Sequence, residues 1–247
     1  MFHPQGPTFW ELTRQALSST ARGYDLLAPK FDVTPFRTPK FILDAVRREL
    51  QPLGPFEDLL DVCCGTGAGI ESLSDLVTSR IVGLDFSRGM LIQAEENLRP
   101  NSSGRSAAIE FVLGDVLKME FDSEFDLAVC FGANGHLLPN EEHEFCRRLF
   151  GALRPGGRLV LVTTTRPGFL SAAYWLSRSF NAAMWLRNWV VKPPFIMYYL
   201  TFLWPDVGQV LEPAGFQVQC RPLFPDHPRL QSVRLIIARK PTTDGTS

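Results

Sequence analysis

The sequence predicts an α/β domain on a doubly wound parallel sheet, and three observations carry that expectation. From Glu57 onward, short apolar runs alternate five times with longer amphipathic stretches. The first junction between the two is glycine-rich, Gly65-Thr66-Gly67-Ala68-Gly69. The composition, 45% hydrophobic and 21% charged over 247 residues, suits a chain that buries a full core. It excludes disorder, collagen-like repetition and a disulfide-stapled mini-protein. With 25 basic against 26 acidic residues, the net charge of −1 argues against a dedicated nucleic-acid binder.

The elements follow in order within one domain spanning 1–247. An N-terminal helical segment, 1–52, holds helices at about 8–20 and 38–50, joined by ARGYDLLAPKFDVTPF. Strands are expected at 57–63, 80–85, 109–115, 125–131 and 158–164. Each is rich in Leu, Val, Ile or Phe, as strands covered on both faces must be. Helices fall between them at 68–78, 87–99 and 140–153, with Ser87 and Asn140 as N-caps. Pro155-Gly156-Gly157 stops the third and turns the chain into the next strand. Five successive β–α units imply a parallel sheet with right-handed crossovers. The rhythm breaks at 166–204, too long for an ordinary connection, which is expected to be a largely helical aromatic lid. Pro205 opens a helix through Leu211, strands at 216–220 and 231–239 close the domain, and the tail 241–247 is expected to be disordered.

Cys63, Cys64, Cys130, Cys146 and Cys220 form an odd set without a CxxC pair, which reads as reduced thiols of a cytoplasmic protein and not as a metal site. The start, MFHPQGPTFWELTRQ, lacks a basic region followed by an apolar stretch, so no signal peptide is expected.

The chemistry concentrates in LLDVCCGTGAG, residues 59–69. Glycines at 65, 67 and 69 let backbone turn sharply and approach a ligand. Twenty residues past Gly65, Asp85 ends the second strand, where a carboxylate can accept both ribose hydroxyls of an adenosine-containing ligand. Asp115 ends the third, within reach of an adenine amino group, and Asp61 lies in the first. Three acids at the carboxyl ends of consecutive strands argue against coincidence. A dinucleotide fingerprint would need Gly or Ala at position 70, where this chain has Ile70.

The D-x-x-x-G-x-G-x-G pattern from Asp61 to Gly69 resembles motif I of class I S-adenosylmethionine-dependent methyltransferases. The resemblance covers about residues 20–240 through GLDFSRGML, GDV (114–116), FDLAVCFGANGHL and LRPGGRLVLV. It implies a Rossmann-like seven-stranded sheet of order 3-2-1-4-5-7-6 with the last strand antiparallel. YDLLAPKFD (24–32) and DVCCGTG look like the ubiquinone/menaquinone-biosynthesis C-methyltransferases and their small-molecule relatives. Ala68 stands where that group commonly has an acid, so the cofactor site is carried over and the quinone is not. For S-adenosylmethionine the resemblance implies Tyr24, Asp61, Gly65, Thr66, Gly67, Asp85, Phe86, Met90, Asp115, Val116 and Phe131. Asn134, Trp185, Tyr198 and Tyr199 are candidate substrate contacts. His136, which directly follows the fourth strand, is the candidate catalytic residue.

Between Glu144 and Asp206 the chain has eight cations and no acid, which leaves the remainder at −9. The insert also carries eleven aromatics between 168 and 204. Arg178, Asn181, Arg187, Asn188 and Pro193-Pro194 interrupt it, so a transmembrane span is not expected. It reads as a lid over a small lipophilic substrate (aromatic, quinone-like or polyketide-like, methylated at O or C) that can touch a membrane peripherally. The alternatives are an RNA or protein methyltransferase, for which the basic stretch speaks, and a non-catalytic protein that keeps the cofactor fold.

Overall fold

The computed structural model describes residues 4–99, 107–132 and 134–242. Helices α1 (Phe9–Ala16), α2 (Thr20–Leu27) and α3 (Lys40–Leu50) precede strand β1 (Phe56–Val62). Then come α4 (Ala68–Leu73), β2 (Val77–Asp85), α5 (Arg88–Leu98), β3 (Ala108–Leu113), β4 (Phe125–Cys130), α6 (Glu142–Ala152) and β5 (Leu153–Thr164). Helix α7 (Ala172–Val190), the short α8 (Gly208–Leu211), β6 (Gln217–Pro222) and β7 (Val233–Arg239) complete the chain.

The sheet order is β3-β2-β1-β4-β5-β7-β6, with β7 antiparallel to both neighbours, as the resemblance implied. Alternation along the strands builds two cores. Leu60, Val62 and Val82 pack with Phe145, Leu149 and Leu211 on the face covered by α6 and α8. Leu59, Ile81 and Val129 point the other way, onto Val46, Ile70 and Leu73 of α3 and α4.

Several boundaries differ from the sequence reading. Helix α4 stops at Leu73 because β2 already begins at Val77, paired with Phe56 of β1. Ser87 caps α5, its side chain accepting from Met90 N–H. Asn140 does not cap α6. That helix starts one residue past Glu141, whose carboxylate is used by the Leu138 N–H at 2.9 Å. Pro155-Gly156-Gly157 is no turn before a strand but part of β5, where the pairing with β4 shifts register and Gly156 takes φ 83°. The insert is helical only over α7. Past Val191, the chain returns without regular structure to Thr163, whose hydroxyl donates to the Phe202 carbonyl. The expected disordered tail lies, from 243 on, outside the described residues.

The N-terminal segment is latched to the sheet's carboxyl edge by two carboxylates. Asp25 accepts from the Ser87 hydroxyl at 2.7 Å and from Gly89 N–H at 2.9 Å. Asp32 accepts from the Thr66 hydroxyl at 2.6 Å, Asn97 Nδ2 at 2.8 Å and Arg37 Nε at 3.0 Å. Both acids hold the segment to the two loops where a nucleotide would sit. Such charge-assisted bonds are stronger than neutral ones.

Candidate active site

At the end of β1 the backbone turns through three positive-φ residues, Cys63 (55°), Gly65 (53°) and Gly67 (84°). The two glycines serve different ends. A Cβ on Gly67 would press on Leu98 Cδ1 at 3.0 Å, so this residue allows close packing on α5. A Cβ on Gly65 would meet nothing within 4 Å, so its bare backbone faces the cleft.

Two acids shape the floor. Asp85 is buried and holds the turn, accepting from Gly65 N–H at 2.9 Å and Ser87 N–H at 2.8 Å. Burial pushes its carboxyl up to about 6 against the opposing pull of those N–H donors. Asp61 is more deeply buried, and its Oδ2 has no hydrogen-bond partner among the described residues. Burial, and secondarily the nearby Asp85, holds it well above the usual carboxylate range. A Cβ on Gly69 would come within 2.5 Å of that oxygen, so only glycine leaves it room.

A cleft of about 740 Å³, its mouth included, joins these groups to an aromatic wall of Tyr24, Phe31, Phe36, Phe86 and Phe131. The Tyr24 ring stacks on Phe195 with centroids 6.4 Å apart and planes 8° from parallel. Its hydroxyl lies 2.7 Å from His136 Nε2, and His136 Nδ1 lies 2.6 Å from the Ile196 carbonyl. A carbonyl only accepts, so Nδ1 carries the proton. Burial lowers the imidazole pKa, which favours the neutral ring and leaves Nε2 to accept from Tyr24.

The structure brings nine expected residues together at the cleft: Tyr24, Asp61, Gly65, Thr66, Asp85, Phe86, Met90, Phe131 and His136. Others lie elsewhere. Asp115 does not line the cleft; its carboxylate caps the 116–118 turn through Leu117 N–H at 3.0 Å. Val116 is buried in the core beneath it. Trp185 stands on the outer side of α7, 65% exposed, because the inward positions of that helix are taken by Met184 and Asn188. Tyr198 accepts from Asn188 Nδ2 with its hydroxyl, and Tyr199 packs on Phe180 at the surface. The Asn134 side chain lies outside the described residues. Sequence reasoning missed Phe31, Phe36, Arg37 and Thr38, which line the cleft. Their signal was continuity with Tyr24 along one segment.

These groups fit an adenosyl sulfonium cofactor. Asp85 can accept ribose hydroxyls, Gly65 leaves room for close approach, and the Asp61 carboxyl group, which lines the cleft, suits an ammonium group. A pH dependence follows. An acid whose folded pKa is raised destabilises the fold while charged, so acidification through about pH 6 relieves Asp85. A bound ribose favours the carboxylate, so binding should release protons in the same range. Calorimetry with S-adenosylhomocysteine should show affinity level above about pH 7 and falling below about pH 6. Affinity that rises on acidification would contradict this assignment.

Residues 59–157 match a family model described as a methyltransferase domain. Among curated proteins, the chain is similar to demethylmenaquinone methyltransferases of Lactococcus lactis (33% identical over 44% of this chain and 42% of that protein) and Desulfitobacterium hafniense (35% over 58% and 57%). It spans about half the length of these relatives. Its fold is similar to magnesium protoporphyrin IX methyltransferase from Synechocystis with bound S-adenosylhomocysteine, at TM-score 0.58 and 16% identity over 81% of this chain and 82% of that one. A phosphoethanolamine N-methyltransferase of Haemonchus contortus in complex with S-adenosylmethionine gives 0.58 and 16% over 82% and 52%. Residues 59–157 thus match a methyltransferase domain, and the sheet order and glycine turn are those that the resemblance to class I, S-adenosylmethionine-dependent methyltransferases implied.

Proposed function

We propose that the chain transfers a methyl group from S-adenosylmethionine to a small lipophilic acceptor held beside His136. The observation that carries this reading is the continuity of one cleft, from the acids at Asp61 and Asp85 to the aromatic wall and the Tyr24–His136 pair. When bound, the cofactor supplies a methyl group on a sulfonium, open to in-line attack. The chain supplies alignment and a dry wall, and both lower the barrier for a neutralising transfer. If the acceptor is a phenol, His136 Nε2 is the base, and the acceptor hydroxyl takes the place that Tyr24 occupies. If it is a carbon, Tyr24 and His136 orient the ring and the proton leaves afterwards. The demethylmenaquinone methyltransferases to which the chain is similar support an aromatic, quinone-like acceptor.

An RNA or protein acceptor is less well supported. Arg147 and Arg148 bond Glu144, Arg154 bonds Asp58, Arg166 bonds Asp206, and Arg187 bonds backbone carbonyls. Most of the basic stretch is therefore spent within the fold. The reading is tested by following a labelled methyl group into organic-soluble or macromolecular products.

A further inference from the structure

Helix α7 is inside out. Its covered positions are Tyr174, Ser177, Phe180, Asn181, Met184, Arg187 and Asn188, of which only Phe180 and Met184 are purely hydrocarbon or thioether. Asn188 holds both the N–H and the carbonyl of Phe195, and Asn181 does the same for Tyr199. The opposite side, about half the circumference, presents Trp175, Leu176, Trp185, Leu186, Trp189 and Val190, each more than half exposed. A lone helix in water is arranged the other way round. At 19 residues with interrupting polar groups, it is not long and apolar enough to cross a membrane.

The surface continues onto α1. Arg187 donates to the Ala16 carbonyl at 2.7 Å and the Ser18 carbonyl at 2.8 Å, tying the end of α1 to the last turn of α7. A groove beside this junction is lined by Trp10, Arg14, Leu17, Arg22 and Pro193. Trp10 is 77% exposed. The side chains of Arg14, Arg22, Arg178 and Lys192 have no ion-pair partner among the described residues, and α7 and the chain up to Asp206 contribute no acid.

We propose that α1 and α7 together dock the protein on an anionic lipid bilayer. The tryptophans and leucines would enter the interface, and Arg14, Arg22, Arg178 and Lys192 would meet lipid phosphates. Exposed tryptophan beside unpaired cations matches the chemistry of that boundary, where amphipathic rings settle at headgroup level and basic groups face anionic lipid. A second copy of the chain would fit the apolar stripe but would set Arg178 against another cationic stripe with no acid to meet it. The proposal rests on this surface alone and not on the identity of the acceptor.

The test is flotation of the full chain with phosphatidylcholine vesicles, with or without about one third phosphatidylglycerol. The protein should float with the anionic vesicles, less so at high salt, and its tryptophan emission should shift to the blue. The pair Trp185→Ser and Trp189→Ser should weaken partition at least about tenfold, with S-adenosylhomocysteine affinity retained. Arg14→Glu with Arg22→Glu should remove the preference for anionic over neutral vesicles. If the tryptophan pair also lost cofactor binding, Arg178→Glu alone would carry the test and should reduce anionic flotation. Protein that stays with neither vesicle, or variants that float as the wild type does, would overturn the proposal. So would a wild-type dimer in sedimentation velocity that the tryptophan pair disperses without any vesicle binding.

Discussion

Asp85→Ala should weaken S-adenosylhomocysteine binding by about 10- to 150-fold, the equivalent of about 1.5–3 kcal/mol for a hydrogen bond to a charged group. The effect has two sources. The ribose hydroxyls lose their acceptor, and the Gly65 and Ser87 N–H groups that Asp85 now holds lose theirs. The second loss loosens the turn itself, so Asp85→Asn, which keeps a side-chain oxygen, should fall between alanine and wild type. Calorimetry on the three proteins checks this order, and NAD should give no heat with any of them. Unchanged affinity in the alanine variant would mean that the ribose lies elsewhere.

A larger kinetic effect is expected at His136. With an oxygen acceptor, His136→Ala should lower kcat by roughly two to four powers of ten and leave cofactor affinity nearly intact. The reason is geometric. The Ile196 carbonyl fixes the tautomer, so the basic nitrogen points into the cleft, and burial keeps it unprotonated at neutral pH. Tyr24→Phe separates basicity from positioning. It frees Nε2 without removing the base, so the drop in kcat should be smaller than for His136→Ala. The pH profile of kcat should keep its acidic limb in Tyr24→Phe and lose it in His136→Ala. If His136→Ala turned over an oxygen acceptor at the wild-type rate, catalysis would rest on proximity and desolvation alone.

The sheet was legible because a parallel strand covered on both faces has to be almost uniformly apolar. EDLLDVC and FDLAVCF admit no other reading, and the glycine turn between Asp61 and Gly69 marked the cofactor edge. The start of β2 was hidden because Val77-Thr78-Ser79-Arg80 is half exposed at the sheet's amino end, where local sequence does not separate helix from strand. Helix α7 was foreseen as a helix, and none of its residues lines the cleft. Its sequence shows an apolar circumference but not which arc meets the protein, and the arc chosen is the one bearing Asn181 and Asn188. The pairing of Tyr24 with His136 spans 112 residues of chain, and no local pattern encodes it. Asp115 stands at the strand end that was expected, and its side chain also caps the next turn, a contact that the sequence reading left out.

The central claim, methyl transfer to a small lipophilic acceptor, is tested most directly with S-adenosylmethionine carrying a labelled methyl group. The full chain would be incubated, in separate arms, with demethylmenaquinone and simple phenols in detergent micelles, with a membrane lipid extract, and with total RNA and protein. Label entering the organic phase of the first or second arm, with none above background in the acid-precipitable fraction of the third, is the expected result. Label confined to that precipitate would contradict the claim in favour of a macromolecular acceptor. No transfer in any arm by a protein that binds S-adenosylhomocysteine would contradict it in favour of a cofactor-binding scaffold without turnover.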